Sequence, residues 1–227
     1  MKKSHIVMLA DFLLVIPLTL FLCMRLPGRG YYITSTLVIV ELIVPFLLAF
    51  ESRKPQAREL VVIAVLSALA VAARVVIPLP HFKAIFAIIM LSGIAFGPEA
   101  GFLTGALTAF VSNFIFGQGP WTPWQMLGFG LVGFLGGLLF YNREVKTAPL
   151  IAYGFLSVLV IYGVLLDTAS LLMYSQSVTW NALLAVYASG FPFNLIHAAG
   201  TAVFLLLLKK PVLSKLRRIK IKYGMMD

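Results

Sequence analysis

Apolar residues in this chain run in long, nearly uncharged blocks, not in the alternation of half-buried strands. A helix that crosses a bilayer needs about 20 mostly apolar residues. Eight blocks meet or approach that length: His5–Met24, Tyr32–Glu51, Glu59–Pro78, Lys83–Phe96, Ala100–Phe116, Trp124–Tyr141, Leu150–Tyr174 and Trp180–Leu208. The fourth is short, so it is expected to tilt little or to be partly re-entrant. The eighth is long and carries Gly190 and Pro192, which predicts a kink or a loop-like start. The first follows Met1-Lys2-Lys3 and so imitates a signal peptide. Its apolar part is too long, contains Asp11 and lacks a small-x-small cleavage site, so it reads as a retained helix.

Composition agrees with the pattern. Of 227 residues 61% are hydrophobic and 11% charged, against about 45–50% and 25% in soluble domains. Mean hydropathy is +0.99. The fold class expected is an all-α polytopic membrane protein. A soluble enzyme, a disordered tail and a secreted disulfide scaffold are excluded. Cys23 is the single cysteine and no Cys/His zinc spacing occurs, so no metal site is expected.

The net charge of +10 changes meaning once the charges are placed. With the N-terminus inside and eight alternating spans, the inner side holds Lys2, Lys3, Arg53, Lys54, Arg58, Arg143, Lys146, Lys209, Lys210, Lys215, Arg217, Arg218, Lys220 and Lys222. The outer side holds Arg25, Arg29 and Lys83, and Arg74 lies within a span. Fourteen cations against three puts both termini in the cytoplasm. The charged stretch Glu51–Glu59, with Pro55, separates a two-helix front end (residues 1–52) from a six-helix core (59–211). A basic tail (212–227) follows. In the run Lys209–Lys222, the default reading is an interfacial helix on anionic lipid.

Several devices are missing from the sequence. There is no G-x-x-x-x-G-K-[ST] loop, no H-E-x-x-H, no aspartate-rich diphosphate motif and no G-x-S-x-G elbow. The chain is therefore expected to be no enzyme, to have no ATPase site of its own and to carry no cofactor. Uphill transport would draw on an ion gradient or on partner subunits.

Ala64, Ala68 and Ala72 recur at spacing four in the third span and form a smooth stripe where another helix can approach closely. Packing inside the chain and contact with another subunit both fit that stripe. Gly101/Gly105 and Gly133/Gly137 repeat the spacing and read as internal packing. The loop after the fifth span runs Ser112-Asn113-Phe-Ile-Phe-Gly117-Gln118-Gly119-Pro120-Trp121-Thr122-Pro123-Trp124-Gln125. Its glycines and prolines fix a compact turn. Its tryptophans offer flat faces, and Asn113, Gln118 and Gln125 offer both donors and acceptors. That set suits a neutral, polar, ring-bearing ligand arriving from outside; an interfacial aromatic belt is the bland alternative.

Other spans supply further polar groups. Arg74 lies near the outer end of the third, Asp167 in the outer half of the seventh, and Asn194 and His197 after Gly190-Phe-Pro192 in the eighth. His81 and Lys83 sit in the adjoining outer loop. Ionisable groups within spans are costly and normally face the bundle interior or water. Arg74 and Asp167 could pair with each other or meet a ligand, and His197 could be a satisfied buried histidine. Asp11 and Glu41 in the front pair could bond across their two helices. An autonomous proton- or sodium-coupled transporter would use Asp167, Glu41 and Arg74 for coupling. A membrane enzyme would need Asp167 and His197, with no nucleophile–base spacing to support it.

Residues Glu59 to about Pro211 resemble the substrate-binding S component of an energy-coupling factor (ECF) vitamin transporter. The resemblance rests on the alanine stripe, on Gly93-Ile-Ala-Phe-Gly-Pro-Glu99-Ala-Gly101-Phe, and on Ser112-Asn113 leading into Gly117 to Gln125. It implies a six-helix core in the cell membrane of a prokaryote. It also implies capture of one vitamin or metal precursor from outside, and association with a transmembrane T subunit and two cytoplasmic ATPases. ATP would be used by those partners. Carried over by position, Ala64, Ala68 and Ala72 face the T subunit, and Gln118, Trp121, Trp124, Gln125, Asp167 and Asn194 contact the substrate. Arg74, His81, Asn113 and Thr122 complete the candidate site. The family's S components are thought to topple in the membrane to open inward; residues 1–52 depart from the family by adding two helices that must travel or step aside. The Trp/Pro loop looks like that of S components linked with cobalamin or its precursors; flavins, pterins and pantothenate match the same chemistry.

Overall fold

The computed structural model describes residues 11–23, 37, 41, 50, 56–175 and 179–224. Every regular element among them is helical. A π-helical turn (Asp11–Val15) leads into α1 (Ile16–Cys23). Then follow α2 (Ala57–Val76), α3 (Ile85–Phe96), α4 (Pro98–Phe116) and α5 (Thr122–Phe140). Next come α6 (Thr147–Leu156), a π-helical stretch (Ser157–Tyr162) and α7 (Gly163–Tyr174), which together form one continuous span, and finally α8 (Trp180–Tyr223). Five of these spans are long and apolar enough to cross a membrane: α2, α4, α5, Thr147–Tyr174 and α8. The all-α polytopic membrane fold is what the apolar blocks predict. Large apolar side chains cover its outside, among them Leu60, Val65, Phe114, Ile115, Leu206 and Leu207, as a lipid-facing surface requires.

Of the front end, Glu41 accepts a hydrogen bond from Thr19 Oγ1 at 3.0 Å, and Phe50 is buried in the main apolar cluster. The side chain of Asp11, most of the Tyr32–Glu51 block, the loop cations Arg25 and Arg29, and residues 51–55 lie outside the described residues.

The short fourth block becomes α3, 12 residues long, which at 1.5 Å rise is about 18 Å and less than a bilayer core. Nearly every residue of it is buried, because α2, α4, α5 and α8 surround it. Gly97, with φ 102°, ends α3 and starts α4 in a single residue, a backbone state that side-chain-bearing residues avoid. Pro98 then occupies the first turn of α4 and Pro123 that of α5; proline is pre-set for those positions, so both helices begin two residues before the apolar blocks do.

A glycine seam joins α3, α4 and α5. A methyl group added at Gly133 would lie 2.3 Å from Gly101 O, and one at Gly93 would lie 2.3 Å from Gly133 O. Gly105 meets Phe129 O at the same distance. The backbones touch directly, as small-residue spacing predicts for internal packing. On α2 the buried side is Ile63, Leu66 and Ala70, whereas Ala64, Ala68 and Ala72 lie on the exposed side.

The expected loop-like start of the eighth span does not occur. α8 runs through Gly190, Pro192 and Pro211 as one helix of 44 residues, about 66 Å at 1.5 Å rise. Each proline removes one intrahelical bond, whereas unwinding within lipid would strand several backbone groups. The Thr179 side chain caps its start by accepting from Ala182 N at 3.2 Å.

Candidate functional site

Two polar clusters lie at the end of the bundle where α2 and α4 finish and α5 begins. The first is built from the loop that the sequence singles out. Arg74, in the last turn of α2, donates through Nη1 to Asn113 Oδ1 at 2.9 Å and to Ser112 Oγ. Its guanidinium also lies 4.5 Å from the centre of the Phe116 ring. Asn113 Nδ2 donates to Thr122 Oγ1 (3.0 Å) and Gln125 Oε1 (2.8 Å). Thr122 Oγ1 accepts from Gly119 N and donates to Gln118 Oε1 at 2.9 Å, and Gln118 Nε2 donates to Phe110 O. The chain of bonds fixes the loop between α4 and α5 and holds the Arg74 charge at half-buried depth.

The tryptophans take different places. The Trp121 indole lies over Gly119, where an added methyl would sit 2.4 Å from the ring. Trp124 is buried against Ala169, Leu165, Leu172 and Met173, and so seats α5 on α7.

The second cluster borders a cavity of about 370 Å³ between α7, α8 and the loop 77–84. Asp167 Oδ2 accepts from Asn194 Nδ2 at 2.8 Å across the α7–α8 interface. Two glycines make room for that pair: a methyl at Gly190 would strike Asp167 Oδ1 at 2.2 Å, and one at Gly163 would meet Asn194 Nδ2 at 2.8 Å. The rings of His81, Phe193, His197 and Tyr162 line one side, with His81 4.9 Å from Phe193 and 4.7 Å edge-on to His197. Ser170 and Ser189 add hydroxyls. His81 has φ 59°, a left-handed state uncommon outside glycine that asparagine, aspartate and histidine adopt more often than other residues. Partial burial, reinforced by the Lys83 charge, lowers its pKa and favours the neutral ring. Burial and then Arg74 lower that of Lys83, whose ammonium donates to Ile77 O.

Of the residues expected at the site, His81, Asp167 and Asn194 meet in this cavity, together with His197. Arg74, Asn113, Gln118, Trp121, Thr122, Trp124 and Gln125 do not line it. Arg74 and Asp167 take separate partners and make no mutual pair. One stack links the clusters: Arg74 lies 5.9 Å from the Phe129 ring, which lies 5.5 Å from Tyr162 on the cavity wall. Tyr162, Phe193, Ser170 and Ser189 also line the cavity, and nothing in their residue types singles them out. Gly163 and Gly190 were the available signal, since each gives a polar side chain space inside a span.

Residues 54–213 match the family model described as ECF-type riboflavin transporter, S component. A UPF0397 protein of Lactococcus lactis subsp. cremoris (strain NZ9000) is 29% identical over 138 residues, covering 56% of this chain and 71% of its own length. UPF0397 protein YdcD of Lactococcus lactis subsp. lactis (strain IL1403) is 28% identical over 138 residues, with the same shares covered. The matched region holds α2 to α7, α8 as far as Leu213, and both polar clusters. The chain therefore belongs to the family of ECF-type riboflavin transporter S components, and is a multi-pass membrane subunit that serves transport and not catalysis.

Proposed function

We propose that this chain captures a flat heteroaromatic vitamin of flavin size, riboflavin first, in the cavity between α7, α8 and the loop 77–84. The observation that carries this reading is the cavity's lining of four rings beside an Asp167–Asn194 pair and two serines. Rings supply stacking faces, and the polar groups supply donors and acceptors for ring edges and a hydroxylated side chain. Its volume of about 370 Å³ lies in the range of about 300–1,000 Å³ usual for small-molecule pockets. A corrinoid, favoured by the look of the Trp/Pro loop, is several times larger. The family description supports the flavin.

In this reading the cavity opens outward, both termini are cytoplasmic, and a T subunit with two ATPases supplies the energy. The exposed Ala64, Ala68 and Ala72 stripe offers the T subunit a smooth contact. Affinity comes from enclosure, and release from a change of cavity shape as the partners cycle.

The test is native mass spectrometry of the purified chain after exposure to mixed B vitamins and corrinoids. A retained flavin mass is expected. A retained corrinoid, or no adduct on a folded chain, overturns the assignment. Ala68→Trp should leave flavin binding unchanged and abolish uptake in cells that hold the T and ATPase subunits; normal uptake removes the stripe from the partner interface.

A further inference from the structure

The end of the bundle opposite the ring-lined cavity carries a second kind of hollow. One cavity of about 410 Å³ forms where α3 finishes, the α5–α6 loop turns and α8 passes. Arg143, Arg217 and Lys220 line it with Asn142. An adjoining cavity of about 340 Å³ shares Arg217 and adds Lys209 and Lys210. Among the described residues, five cations thus converge on one basin from two elements, with one carboxylate, Glu144, bordering both lobes.

The basin is held in shape by its own contacts. Lys220 Nζ donates to Tyr141 Oη at 3.1 Å and lies 4.8 Å from that ring's centre. Lys209 Nζ donates to Thr147 Oγ1 at 2.9 Å. Asn142 takes φ 56°, a left-handed turn that asparagine tolerates, and its neighbour Arg143 lines the cavity. Two arginines with fork-shaped donors suit the oxygens of a phosphate better than a single carboxylate.

The rest of the lining says what carries the phosphate. Ile94, Ala95 and Leu213 form an apolar floor, and Ile94 and Leu213 are buried. The basin lies beside the first cations that follow the apolar run Val203–Leu208 of α8, where a transmembrane helix leaves the hydrocarbon. A basic pocket between helices at that depth, with apolar walls, fits an acidic lipid head and the upper part of its glycerol and chains.

We propose that this basin is a binding site for the phosphate of an anionic phospholipid head, seated between the end of α3, the α5–α6 loop and α8. It differs from general attraction of a basic tail to an anionic surface, because it depends on the residues that face the basin and not on net charge. It is independent of which vitamin the chain carries.

The test uses the full chain in neutral detergent and native mass spectrometry, with phosphatidylglycerol, phosphatidylcholine or inorganic phosphate as probe. Phosphatidylglycerol should be retained in preference to phosphatidylcholine. Arg217→Gln with Lys220→Gln should weaken that retention about thirtyfold, the expected effect of two cations at a lipid head. Lys215→Gln with Lys222→Gln removes the same charge outside the basin and should leave retention within about twofold. A melting curve checks that each variant is folded; if the first pair is not, Arg143→Gln alone, in the loop, should weaken retention about fivefold. Equal loss in both pairs, or equal retention of the two lipids, overturns the site. Retention of inorganic phosphate without preference for phosphatidylglycerol overturns the lipid as its source and leaves free phosphate as the ligand.

Discussion

The two polar clusters near the α4–α5 loop differ in where their hydrogen-bonding capacity goes. In the loop cluster Arg74, Asn113, Thr122 and Gln118 satisfy one another in sequence, ending on Phe110 O. Around the cavity Asp167 accepts from Asn194, and the carboxylate, two serines and two histidines border open space. Both clusters draw on amide and hydroxyl side chains, but Ser112, Asn113 and Thr122 are buried whereas Asp167 and Ser170 are half-buried. A polar residue within a membrane segment is therefore not by itself a ligand contact. The proposed ligand face is where polar groups and rings border a space as well as one another.

The largest effect is expected where both clusters depend on the same helix packing, at the glycine seam of α3, α4 and α5. Gly133→Ala places a methyl 2.3 Å from Gly101 O, backbone against backbone. It should cost more than about 3 kcal/mol and yield no monodisperse, cooperatively melting protein. Size-exclusion elution and a thermal melt check this; a well-folded variant would mean that the helices can part.

A crossed pair of variants then sharpens the distinction. Asp167→Ala should weaken riboflavin binding about 100-fold, the effect of losing a charge-assisted hydrogen bond, and cost about 1 kcal/mol of stability, because Asn194 loses one partner but borders the cavity. Asn113→Ala should do the reverse, costing about 3 kcal/mol because several buried partners lose their bonds, with affinity held within about threefold. Quenching of riboflavin fluorescence reads affinity, and thermal melts read stability. If Asn113→Ala weakens binding as much as Asp167→Ala does, the loop cluster belongs to the ligand face.

The smallest effect concerns pH. His81 in the folded chain has a pKa below its ordinary 6.5, chiefly through burial and then through Lys83. The unfolded chain therefore takes up the proton first as pH falls. Stability is full above that ordinary value and declines as pH drops from 7 toward 5. Melting temperatures across that range should show a shallow decline, flatter in His81→Asn, which also tolerates the left-handed backbone.

The sequence shows the fold well and the site unevenly. Apolar block length locates the spans because lipid permits few alternatives to a helix. Block ends are less legible: Pro98 and Pro123 look like breakers but start helices, and Pro211 looks like a stop but is passed through. Asp167, Asn194 and His81 are visible as candidates because ionisable and amide groups are expensive in spans. The tertiary fact that Gln118 and Thr122 bond to each other, and not toward the cavity, follows from the loop's path, which residue types do not specify. Tyr162 and Phe193 look like any aromatic in an apolar block until the glycines opposite Asp167 and Asn194 show that those walls are polar.

The unbroken course of α8 has a mechanical consequence. Asn194 at the cavity and Lys220 in the basic basin ride on one rod, about 39 Å apart at 1.5 Å per residue. A rocking of that rod by about 10° about Pro211, roughly 26 Å from Asn194, would carry Asn194 sideways by about 4 Å, enough to separate it from Asp167. Pro211, where the intrahelical bond is missing, is the natural pivot between the two ends. A pull applied at the charged end thus acts as a lever on the carboxylate–amide latch at the other.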